Sequence, residues 1–196
     1  MSDEYTQEEK NELLKLARKT IENYLQDGKK ELIDSGNPKF QQKRGVFVTL
    51  HIEGDLRGCI GHPIPMLPLY HAVIDNAVAS STEDPRFPRV RPEELPRIDI
   101  EISVLTVPKT VKGAEEVAVG RDGIIISKGF NRGLLLPQVP VEQGWDLEEY
   151  LSYGCRKAGL PPDAWRDGSV GIETFQAIVF GDPAARGADK GFQENK

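Results

Sequence analysis

The first ordered pattern in the chain is an apolar stripe. Leu13, Leu14, Ala17, Ile21, Tyr24 and Leu25 recur at steps of three and four residues, the spacing that lines one face of an α-helix. Thr6 followed by Glu9 has capping-box spacing, and Gly28 supplies a stop. Residues 29–44 are polar, include Gly36 and Pro38, and read as a connection. The period then changes. GVFVTLHI (45–52) is β-rich, Glu53-Gly54-Asp55 reads as a turn, and LRGCI (56–60) reads as the returning strand, ended by Gly61 and the prolines at 63, 65 and 68. Helical spacing returns in LYHAVIDNAVAS (69–80), with Leu69, Val73, Ala77 and Ser80 on one side. A segment rich in proline and arginine, 83–95, shows no period. IDIEISVLT (98–106) alternates apolar and polar residues, as a half-buried strand does.

The same order then recurs. GIIISK (123–128), the turn GFNRG (129–133) and LLLPQV (134–139) predict a second hairpin. WDLEEYLSYGCRKAGL (145–160) predicts a helix capped by Asp146, and IETFQAIVF (172–180) a last strand. Gly45 matches Gly123, Leu56 matches Leu134 and Leu69 matches Leu147, a constant offset of 78 (123 − 45). The third strands match at 74 (172 − 98). Hairpin, helix and strand recurring in one order predict an internal duplication. Two such units bury their sheet faces within one shared core, so the expectation is a single α+β domain over residues 1–196. Its core covers about 6–182, with a polar tail at 183–196.

Composition narrows the setting. The 196 residues are 38% hydrophobic and 29% charged, values that support a buried core. A formal net charge of −6 argues against binding a nucleic-acid backbone. The cluster Arg86, Arg89, Arg91 and Arg97 is interleaved with Glu93 and Glu94 and reads as a solvated face. There is no run long enough to span a membrane. The start, MSDEYTQEEK, lacks the basic and apolar regions of a secretory signal. Two cysteines, Cys59 and Cys155, do not make a disulfide framework, so a cytoplasmic setting with free thiols is expected.

LRGCIG (56–61) is the segment that carries the candidate chemistry. Strand alternation puts Leu56, Gly58 and Ile60 on one side and Arg57 and Cys59 on the other. A guanidinium beside a thiol favours the nucleophilic thiolate. Gly58 and Gly61 clear space for another backbone or a ligand. The offset of 78 puts Leu135 and Pro137 where the first unit has Arg57 and Cys59, so charge and thiol belong to one copy alone. Cys59 reads either as a nucleophile or as a small packing residue. A base would come from His51, on the partner strand, or from His62, directly after the strand; each also reads as a plain surface or turn histidine. His71 carries no assignment. Cys59 and His62 have the spacing of two zinc ligands, but a zinc site wants three or four, and Cys155 falls in step with Leu147, Leu151 and Ala158 as a core residue, so no metal site is assigned. In DPRFPRVRP (84–92), Asp84, Arg86 and Phe87 either line a pocket, with Arg86 meeting an anion, or pair among themselves. Glu101 alternates onto the polar face of its strand, toward a cleft or solvent.

At LRGCIG, taken with DPRFP, EISVLT and LLLPQV…W…KAGL, the chain resembles the AMMECR domain family, also called AmmeMemoRadiSam system protein A, from about Gly45 to about Phe180. The resemblance implies two related hairpin–helix–strand units around a mixed, barrel-like sheet, preceded by the N-terminal helix. It also implies a cleft lined by Leu56, Arg57, Gly58, Cys59, Ile60, Gly61, Asp84, Arg86 and Phe87. Association with a Memo-type protein and a radical SAM enzyme is implied too; no cofactor is. Two positions depart from the family's pattern. His62-Pro63 stands where a small or hydroxylic residue is expected, and Phe180-Gly181-Asp182 stands where an acidic residue nearer the phenylalanine is expected.

Two functions follow as expectations. One is an enzyme, or enzyme component, using Cys59 on a small-molecule or nucleotide-related substrate. The other is a non-catalytic binding module that presents the same cleft to a protein partner.

Overall fold

The computed structural model describes residues 5–30 and 36–182, so the tail from 183 and part of the 29–44 connection lie outside the described residues. The chain divides into two compact units, Met1–Leu105 with Ile178–Lys196, and Thr106–Ala177.

In the first unit, helix α1 (Gln7–Asp27) opens on the expected capping box, with Thr6 Oγ1 accepting from the Glu9 amide at 3.2 Å and the Glu9 carboxylate accepting from the Thr6 amide at 2.8 Å. Its stripe, Leu13, Leu14, Ala17 and Ile21, is buried. Strands β1 (Val46–Ile52) and β2 (Asp55–His62) form the first hairpin, followed by α2 (Leu69–Thr82) and β3 (Ile98–Leu105). β8 (Ala177–Gly181) completes a sheet of order β2-β1-β3-β8, with β1 antiparallel to both of its neighbours. Val46, Val48 and Leu50 of β1 and Ile98, Ile100, Ile102 and Val104 of β3 alternate onto one buried face, with α1 and α2 in the same cluster. Phe40, inside the stretch read from sequence as a polar connection, is fully buried in this cluster.

The second unit has its own cluster. β5 (Gly123–Lys128) pairs with β6 (Asn131–Leu135) and with β7 (Gly171–Phe175), and β4 (Lys109–Thr110) lies beyond β7. Helices α3 (Gln138–Gln143) and α4 (Leu147–Lys157) follow the hairpin, and Asp146 caps α4 as expected. Tyr150, Leu151 and Cys155 pack with Ile124, Ile126 and Ile172.

The α+β class, the N-terminal helix and the hairpin-helix-strand order all stand. The strands form two four-stranded antiparallel sheets that do not close into a barrel. The expected last strand, 172–180, is divided at Gln176, whose amide donates to Thr106 Oγ1 at 2.9 Å; β7 and β8 then join different sheets. The segment expected as strand 134–139 instead ends β6 at Leu135 and enters α3.

The offsets also change. The second hairpin turns at residues 129 and 130, with Lys128 facing Asn131, whereas the first turns at 53 and 54, with Ile52 facing Asp55. With β1 and β5 aligned at 78, the second turn comes two residues earlier. The residue facing Ser127, the counterpart of Thr49, is therefore Arg132, while Cys59 faces Thr49. Arg132, rather than Pro137, is the pairing counterpart of Cys59. Ile102 faces Val48 and Ile172 faces Ile126, so the third strands match at 70 (172 − 102) instead of 74.

Candidate functional site

β2 is an edge strand, so half of its backbone donors and acceptors point away from the sheet. At Cys59 both outward groups are taken by side chains of the 84–87 loop. The Cys59 amide donates to Asp84 Oδ2 at 2.8 Å, and Arg86 Nη2 donates to the Cys59 carbonyl at 3.3 Å. The two side chains do for Cys59 what a neighbouring strand would do. They also bind each other: Arg86 Nε donates to Asp84 Oδ1 at 3.0 Å and Nη2 to Oδ2 at 2.7 Å, and the Arg86 amide donates to Oδ1 at 3.1 Å. The Asp84 side chain is only 2% exposed, yet every oxygen is used. The Arg86 guanidinium holds the Asp84 carboxyl well below the usual carboxylate range, against the opposing effect of burial. The sequence left open whether Asp84 and Arg86 pair or reach outward, and they do both. Phe87 is half-buried and closes the turn, its amide donating to the Asp84 carbonyl; the Arg86 guanidinium lies 5.5 Å from its ring centroid.

With its backbone turned outward, Cys59 forms a non-hydrogen-bonded pair with Thr49, the arrangement that brings facing side chains closest. The Thr49 hydroxyl donates to Cys59 Sγ at 3.3 Å. Across β1, Thr49 faces Glu101, so thiol, hydroxyl and carboxylate occupy one rung of three strands. Cys59 is half-buried, whereas Cys155 is fully buried and its thiol is pushed up by burial. Thr49 was not singled out from the sequence, because a bulge hides the register.

That bulge lies at Arg57. Leu50 faces Gly58 but His51 faces Leu56, leaving Arg57 as the extra residue. The strict alternation expected for LRGCIG therefore fails below Gly58, and Leu56 shares the face of His51 instead of that of Gly58. The Arg57 guanidinium is committed to other groups. Its Nε and Nη2 grip the Glu94 carboxylate at 2.8 and 3.1 Å, and Nη1 donates to the Pro88 carbonyl at 2.9 Å. The cation at Cys59 is Arg86, whose own pKa is raised first by Asp84 and to a lesser degree by Cys59.

The two glycines admit protein. A Cβ on Gly58 would stand 2.2 Å from the Ser80 carbonyl oxygen, so the backbone of α2 occupies that space. A Cβ on Gly61 would meet the Phe47 ring at 2.3 Å. Ile60 faces Val48, on the helix side.

Neither candidate base is opposite the thiol. His51 faces Leu56 and Asp99; its Nδ1 is buried without a hydrogen-bond partner, and burial lowers its pKa against the opposing charge of Asp99. His62 turns to α2. The Asn76 amide nitrogen donates to the Val46 carbonyl at 3.0 Å, which aims Asn76 Oδ1 at His62 Nδ1, 2.9 Å away, and makes Nδ1 the donor. Cys59 and His62 thus belong to opposite faces of the strand and do not converge as metal ligands.

The family model AMMECR1 matches residues 14–180. Protein MJ0810 of Methanocaldococcus jannaschii is 50% identical over 190 residues, covering 93% of this chain and 94% of that protein. Protein MK0488 of Methanopyrus kandleri is 48% identical over 189 residues, covering 92% and 91%. The crystal structure of uncharacterized protein PH0010 from Pyrococcus horikoshii shares 46% identity and superposes with a TM-score of 0.71, over 89% of this chain and 91% of that one. No helix among the described residues is long and apolar enough to cross a membrane. On the match over 14–180 and these relatives, the chain belongs to the AMMECR1 family.

Proposed function

We propose that this protein is an enzyme or enzyme component in which Cys59 is the nucleophile or group carrier for a small-molecule or nucleotide-related substrate. The observation that carries the reading is the two-sided hold on the Cys59 backbone by Asp84 and Arg86, which fixes this half-buried residue with its sulfur beside the Thr49 hydroxyl. A reacting group placed on a rigid element and held by its surroundings needs little reorganisation when substrate arrives. With both histidines directed elsewhere, the proton acceptor for the thiol comes from the substrate or a partner. A Memo-type protein and a radical SAM enzyme are the proposed partners. Alkylation of the folded protein by iodoacetamide near neutral pH tests the reading. Rapid modification of Cys59 with Cys155 spared supports it; slow modification of both removes its basis.

A second reading, a binding module for a protein partner, draws support from the engagement of Arg57 by Glu94 and from the absence of a histidine facing the thiol. In that case Cys59→Ser leaves partner capture intact and Phe87→Ala weakens it. Loss of capture in Cys59→Ser with normal capture by Phe87→Ala would contradict it.

A further inference from the structure

The Arg86 guanidinium is held edge-on. Its Nε and Nη2 are committed to Asp84, and Nη2 also reaches the Cys59 carbonyl. Nη1, with two N–H donors, has no oxygen or nitrogen partner among the described residues; the guanidinium also interacts with the Cys59 side chain, and the Arg86 side chain is 55% exposed. A guanidinium tied at one edge by a buried carboxylate has already lost the rotamer freedom that an exposed arginine gives up on binding. Its open nitrogen is therefore a prepaid donor rather than a solvated, wandering one. It sits on the residue that touches the Cys59 backbone, so whatever approaches the sulfur from that side meets a cationic N–H pair.

Arg57, the other arginine of the segment, offers no such group. All three of its guanidinium nitrogens are bound, to Glu94 and to the Pro88 carbonyl, and its side chain is 13% exposed. Both Asp84 oxygens accept from Arg86 and from the Cys59 amide, so the carboxylate charge is offset in part by the guanidinium that binds it. The division of labour is clear: Arg57 braces the 88–94 loop, and Arg86 faces outward.

We infer that Arg86 Nη1 is an oxyanion-binding group beside Cys59, and that the substrate carries a carboxylate or phosphate next to the atom the thiol engages. This rests on the reading of Cys59 as the working thiol and specifies its substrate class. Carboxylate and phosphate share the chemistry that Nη1 would recognise, and the two arms of the test separate them.

The test compares iodoacetate with iodoacetamide on the folded protein at low ionic strength, with Cys59 followed by peptide mass. Both reagents alkylate by the same displacement, the sulfur–carbon bond forming as iodide leaves and the thiol proton passing to solvent, so their ratio isolates the effect of the carboxylate. The rate ratio of iodoacetate to iodoacetamide at Cys59 is expected to exceed that of a free thiol peptide, and to fall about three- to fivefold in Arg86→Gln, the range of an exposed ion pair. Since Arg86→Gln also frees Asp84, a second measurement uses the unchanged protein. Inorganic phosphate is expected to slow Cys59 labelling by either reagent more than sodium chloride of equal ionic strength. Protection by phosphate with no iodoacetate preference points to a phosphate-bearing substrate; the reverse points to a carboxylate. A peptide-like ratio, unchanged in Arg86→Gln, together with equal effects of phosphate and chloride, overturns the inference while leaving the thiol reading intact. No labelling of Cys59 by either reagent takes both down.

Discussion

The buried carboxylate of Asp84 accepts the amide of Cys59 at 2.8 Å, across 25 residues of chain and on the open edge of a sheet. An edge strand normally leaves such an amide to solvent. Here it is spent on a side chain that is itself gripped by Arg86, so the loop and the strand hold each other in place.

Removing that carboxylate should be costly. Asp84→Ala strands the Cys59 amide and the Arg86 guanidinium, and is expected to lower stability by about 2–3 kcal/mol, read from the urea midpoint. Asp84→Asn keeps an acceptor and should lose less. Equal stability of Asp84→Ala and the parent would show that the hold on Cys59 is incidental.

The acid limb of the stability curve carries the same signature. The Asp84 carboxyl is depressed in the folded state by Arg86, and Glu94 is depressed by Arg57. A depressed folded pKa gives stability that is complete above the unfolded value of about 4 and is lost as pH falls toward the folded one. Urea midpoints measured from pH 7 to pH 3 should decline, and the decline should be shallower in Asp84→Asn. Parallel declines in the two proteins would assign the acid loss to other carboxylates.

Gly58→Ala tests the packing beneath the site. The new Cβ would lie 2.2 Å from a main-chain oxygen of α2, which cannot swing aside as a side chain can. A loss of about 1–3 kcal/mol is expected from the forced separation of strand and helix, measured as a fall in thermal midpoint. An unchanged midpoint would mean that α2 is not seated on β2.

Much of this was legible in the sequence, and the reasons it stopped are physical. The Thr6–Glu9 capping box, the α1 stripe and the alternation of 98–105 are local signals, and the structure repeats them. That LRGCIG and DPRF belong together was implied by the family resemblance and by no local signal in either segment. What alternation does not reveal is a bulge. Arg57 occupies one, and its slip decides that Thr49, and not Val48, faces the thiol. The contact between Asp84 and Cys59 spans the whole of α2 and has no local trace. Phe40 was missed because a single aromatic in a polar stretch has no period. The break at Gln176 was missed because β7 and β8 read as one β-rich run until the sheet pairing is known.

His62 offers a check on the other face of β2. With Asn76 Oδ1 accepting from Nδ1 and Asn76 buried, the neutral ring should be fixed with its proton on Nδ1. Nitrogen-15 NMR of the imidazole should report that tautomer, and Asn76→Leu should return it to the usual mixture with a stability loss of about 1–3 kcal/mol. An Nε2-protonated ring in the parent protein would contradict the pairing.

The hold of Asp84 on Cys59 is most directly read by amide hydrogen exchange at Cys59 itself. This outward-facing edge amide is expected to be protected to nearly the level of amides inside the β1–β2 ladder, and to lose that protection in Asp84→Ala. Exchange of the Cys59 amide at the rate of an open edge in the unaltered protein would contradict it.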